Sequence, residues 1–115
     1  MDQQAVIVVD TEGTIREWNA TAERVLGYAA GEVLGSPVDI LIPEHLRERH
    51  WAGFHSAMRE PRLRDMAADL PVVFANGEIR AMAGRLLVLI DPFGAAIGAM
   101  AIFGPTGSTG QRPFG

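Results

Sequence analysis

The 115-residue chain contains no cysteine. Disulfides, thiolate metal centres and any thioether adduct to a light-absorbing cofactor are excluded. A basic excess is missing as well. Ten basic against fourteen acidic side chains leave a net charge of −4 and a pI near 5.2, which argues against general nucleic-acid binding. No apolar run approaches the ~18 residues of a membrane span, and the acidic N-terminus lacks the basic start of a secretory leader. No Ser/His/Asp set, acid–base pair of carboxylates or dinucleotide fingerprint stands at a workable spacing. Gly31-Glu32-Val33-Leu34-Gly35 lacks the lysine and hydroxyl of a phosphate loop. There is no internal repeat. These absences predict a cytoplasmic domain that is not itself an enzyme and has neither nucleic acid nor membrane as partner.

What is present suffices for one domain, since 48% of the residues are hydrophobic and can form a core without covalent staples. Ala5-Val6-Ile7-Val8-Val9 reads as a buried strand, and Asp10-Thr11-Glu12-Gly13 as a turn back into a second strand ending at Trp18. Asn19 suits the N-cap of a helix through Leu26 that Gly27 ends, and a second helical piece runs from Ala30 to Leu34. Asn76-Gly77 marks a hairpin, and Asp91-Pro92-Phe93-Gly94 turns the chain once more. Strands are therefore expected near 5–10, 14–18, 70–75, 78–90 and 95–103, around a helical middle. That order predicts an α+β domain over residues 2–104, with one antiparallel sheet covered by helices on one face. Residues 105–115, rich in Gly, Ser, Thr and Pro, read as a flexible tail.

Three histidines, His45, His50 and His55, fall in the stretch opened by Pro43, a residue that suits a first helical position. At about 100° per residue, Leu46, His50, Gly53, Phe54 and Ala57 share one stripe of a helix from Pro43 to about Arg59, while His45, Glu48 and His55 face away. An imidazole within an apolar stripe, beside a glycine that leaves room, suits an iron ligand inside a pocket. The plainer reading is a core histidine bonded to a neighbouring carbonyl. A two-histidine metal site would need i,i+4 spacing, which this helix does not offer. Trp18 and Trp51 read as packing residues, as do Met58, Met82 and Met100.

The segments Ala5 to Ile15, Trp18-Asn19-Ala20-Thr21-Ala22-Glu23-Arg24-Val25-Leu26-Gly27-Tyr28 and Gly31 to Gly35 resemble the PAS sensor family. The resemblance implies a five-stranded antiparallel sheet whose inner face, under a long central helix, forms a pocket. It also implies a sensory role, coupled to an effector such as a kinase, cyclase or transcription regulator outside this chain, and a homodimer. Without a cysteine, the flavin-adduct light sensors of the family are a poor match.

Within the family, Leu41-Ile42-Pro43-Glu44-His45-Leu46-Arg47-Glu48-Arg49-His50 is similar to the central helix of the FixL-type haem oxygen sensors. Their haem-ligating histidine, seven residues after the proline, falls on His50. The likeness implies b-type haem on His50 and O2, CO or NO as ligands of its iron. It also implies a propionate contact at Arg64 and Met66 within reach of the far side. On the helix, Leu46, Phe54 and Met58 would line the pocket; on the sheet, Leu70, Val72, Gly84 and Leu86 would. One departure stands out. The distal arginine of the FixL-type sensors falls on Leu70 or Ala68, neither of which donates a hydrogen bond from its side chain. The alternatives are a cofactor-free interaction module and a pocket for a small organic ligand.

Overall fold

The computed structural model describes residues 4–61 and 65–104, with side chains from Asp69 onward in the second stretch. Strands β1 (Ala5–Val9) and β2 (Ile15–Trp18) come first. A helical middle follows: α1 (Ala20–Leu26), α2 (Ala30–Val33), 3-10 turns at Val38–Leu41 and Glu44–Leu46, and α3 (Arg47–Arg59). Strands β3 (Asp65–Val73), β4 (Ile79–Ile90) and β5 (Ala96–Phe103) complete the domain. The five strands form one antiparallel sheet in the order β2-β1-β5-β4-β3, so the first and last strands are neighbours at its centre. The α+β architecture matches the expectation.

Local chemistry explains the elements. The Asn19 carboxamide oxygen accepts from Ala22 N and Val6 N, and its nitrogen donates to Gln4 O, so the helix cap also ties α1 to β1. Gly27 ends α1 in the left-handed region. All three hairpins share one device: the N–H of Gly13, Gly77 or Gly94 donates to the carbonyl of Asp10, Phe74 or Asp91, three residues earlier. Among the described residues only glycines have positive φ, so Asn76-Gly77 forms a type I turn closed by a left-handed glycine, not a two-residue primed turn.

The core lies between the sheet and the helical middle. In β1 the buried residues Ala5, Ile7 and Val9 alternate with half-buried Val6 and Val8. They pack with Ile15, Trp18, Leu26, Val33, Leu41, Leu70, Val72 and Phe103. Trp18 packs edge-on against Tyr28 and donates its indole N–H to Tyr28 O.

Two elements depart from expectation. β3 begins at Asp65, not near residue 70, because positions 65–69 pair with residues 83–87 of the long β4. The ladder extends a strand whose own alternation is weak. The helix expected from Pro43 is split by the 3-10 turn Glu44–Leu46. No helix among the described residues is long and apolar enough to cross a membrane.

Candidate ligand-binding site

Helix α3 crosses the sheet without burying any of its residues fully. Its faces are nonetheless sorted as the sequence predicts: His50, Phe54 and Ala57 are half-buried, and His45, Glu48 and His55 are exposed. The half-burial has a cause. A cavity of about 410 Å³ separates the helix from the sheet, a size within the roughly 300–1,000 Å³ range of small-molecule sites.

The cavity walls come from Val9 at the end of β1, Val38 in the first 3-10 turn, and His50, Gly53, Phe54, Ala57 and Met58 of α3. Residues 86–88 of β4 and 99–101 of β5 form the opposite side. Among these lining residues His50 alone has a side-chain nitrogen or oxygen. Its Nδ1 is buried. Burial lowers the imidazole below its ordinary value of 6.5; the Asp39 carboxylate pulls it up and His55 pushes it down. His50 is therefore neutral at physiological pH. The Phe54 ring stacks alongside at 6.2 Å between centroids, and Trp51 meets His50 edge-on at 5.0 Å.

The structure brings His50, Phe54, Met58 and Leu86 to one cavity. The other expected lining positions lie elsewhere. Leu70 and Val72 are on edge strand β3 and are buried in the packed core. Gly84 is covered, since a Cβ there would stand 3.0 Å from Phe103 Cδ1 and 3.3 Å from Leu70 Cδ1. Leu46 is half-buried but absent from the walls, because the 3-10 turn that holds it breaks the helical phase. Arg64 and the side chain of Met66 lie outside the described residues. Val9, Val88, Ala99 and Ala101 were not anticipated, although strand alternation could have found them. Val38, in a 3-10 turn, carries no such signal. The described residues hold no cluster of three or more metal-binding side chains, so a metal here would depend on His50 and a larger prosthetic group.

The family model of the PAS fold matches residues 2–107. The chain belongs to the PAS fold family. It is 44% identical over 46 residues, 40% of its length and 9% of the relative's, to Sensor protein FixL of Bradyrhizobium diazoefficiens. Among solved structures, a PAS domain from Colwellia psychrerythraea superposes with a TM-score of 0.73 at 22% identity, covering 87% of this chain and 83% of that one. The PAS domain of the quorum-sensing receptor RpfR of Cronobacter turicensis, in complex with C12:0, gives 0.70 at 15% identity, covering 90% and 94%. The chain spans 11% and 9% of the curated relatives it matches.

Proposed function

We propose that this PAS domain is the sensory module of a signal-transduction protein and binds b-type haem through His50. Its signal would be a diatomic gas (O2, CO or NO) or a change of redox state. One observation carries this reading: a neutral imidazole is the one nitrogen-bearing side chain in the described walls of an apolar cavity of about 410 Å³. A neutral imidazole keeps a lone pair for iron, and apolar walls exclude competing water. An imidazole donor and apolar walls are what the iron and the ring of that group take. When bound, haem supplies an iron that takes a diatomic ligand or changes oxidation state. The chain's own part is to present His50 from α3, stack Phe54 beside it, and keep water out with Leu86, Ala99 and Ala101. The Pro43-to-His50 spacing and the partial match to FixL support the same reading. The effector, a kinase, cyclase or transcription regulator, would lie in another part of a longer protein.

Titrating haemin into the purified chain is expected to sharpen and red-shift the haemin Soret band, a change that His50→Ala abolishes or strongly weakens. A titration that leaves the spectrum that of free haemin overturns the proposal.

A second reading has its own support. The apolar walls, together with a structural neighbour solved with C12:0, suit a small organic ligand to which His50 donates a hydrogen bond. Mass spectrometry of the denatured protein would reveal such a ligand. A cofactor-free interaction module is less favoured, since it gives the cavity no purpose.

A further inference from the structure

Three of the elements that line the cavity meet at Gly13. Strand β1 enters the turn directly after the lining residue Val9. Val38, also in the wall, donates its N–H to Gly13 O at 2.9 Å. Helix α3 arrives through Trp51. A Cβ on Gly13 would stand 2.4 Å from Cη2 and Cζ3 of that indole, so the ring lies against the bare glycine Cα. Gly13 is buried and has φ +80, a conformation that L side chains rarely adopt. The same turn continues into ordered pairing: Ile15 N donates to Ser36 O and Gly35 N to Ile15 O. It also reaches the surface at Thr11 and Glu12, which are exposed.

On the helix side, Trp51 meets His50 edge-on at 5.0 Å and Phe54 at 5.6 Å, while His55 stacks on its outer flank. We infer that Trp51 is a positioning residue that couples the state of the His50 cavity to the β1–β2 turn. This inference rests on the reading of that cavity as a ligand site. A ligand that displaces His50 displaces the ring packed against it. Because nothing separates that ring from Gly13, the turn and its bond to Val38 must adjust. Close-packed contacts transmit such shifts; a gap the size of a methyl group would absorb them. The occupant need not touch the turn. It need only hold His50 differently from the empty cavity, which gives it the differential interaction that shifts a population.

The test is hydrogen–deuterium exchange of the full chain, with haemin as the probe and Trp51→Leu as the variant, which stays apolar but cannot reach Gly13. In the wild type, haemin is expected to change exchange several-fold at the amides of Asp10, Gly13, Thr14 and Val38. Trp51→Leu should keep the Soret shift of bound haemin and lose that change in exchange. Trp51→Ala, which also opens a gap beside Gly13, serves as the second variant if the first misfolds; it should lose the change as well. A change of wild-type size in either folded variant overturns the inference. So does an unaltered turn in haemin-loaded wild type. Absence of the Soret shift in the wild type instead strikes the cofactor reading. Exchange then compares wild type and Trp51→Leu with dodecanoic acid as probe, with the same two outcomes deciding.

Discussion

Leu70 is 4% exposed, and its Cδ1 lies 3.3 Å from where a Cβ on Gly84 would stand, so the side chain occupies space that the glycine vacates. Removing it leaves a void in a packed region. Leu70→Ala is expected to cost about 2–5 kcal/mol, read as a lower urea midpoint. Leu70→Arg would bury a guanidinium in the core cluster and should fail to fold, not tune a gas pocket. A folded Leu70→Arg variant of wild-type stability would show that the strand end opens more readily than its burial implies. His50 contrasts with Leu70. Its position was legible because helical phase names both a face and the neighbours along it. Strand alternation names the face alone. It placed Leu70 and Val72 inward, where they are, but it could not tell that α3 stands over β5 and its neighbours while β3 packs against the core.

The β1–β2 turn owes its shape to one carboxylate. Asp10 Oδ1 accepts from the backbone N–H of Glu12 and Thr14, and Oδ2 takes the Arg16 Nε–H at 2.8 Å. Burial opposes the charge, yet the bonds from Thr14, Arg16 and Glu12 outweigh it and hold the carboxyl below its ordinary value of 3.8. Because the folded value is the lower one, the unfolded chain takes up the proton first as the solution is acidified. The contribution of Asp10 is therefore full above the ordinary value and is lost as pH falls through the folded value. Asp10→Ala should lower the urea midpoint at neutral pH, and the gap to wild type should close in acid. A gap unchanged by acidification would mean that the carboxylate's charge contributes nothing to the turn. Turns of this kind are readable in advance from Asp at the first position and Gly at the fourth. The 3-10 turns were not, because three or four residues carry too little periodicity to register. That is why Val38 could not be placed in the cavity wall from sequence.

The sheet has a second face, and its chemistry bears on how whole molecules meet. Val6 and Val8 alternate with the buried residues of β1 and are only half-buried; Ile102, paired with Val6, and Leu89 on β4 are likewise half-buried. An antiparallel sheet that faces water on one side normally carries polar residues there. The edges are poor docking sites by comparison. Pro71 interrupts edge strand β3, and exposed Arg16 and Glu17 occupy edge strand β2. A second copy laid on the face would cover the aliphatic patch without needing either edge, which is the homodimer the family resemblance leads one to expect. Sedimentation equilibrium should show concentration-dependent dimers of the wild type. Ile102→Lys places a second positive charge beside exposed Arg85, its partner across the strands, and should yield a monomer, with the circular dichroism spectrum and the haemin titration unchanged. Because Ile102 faces away from the helices, loss of association with the cavity intact would separate the dimer surface from the sensing site. A wild type that remains monomeric at every accessible concentration would rule out the second copy and leave the face to a different chain.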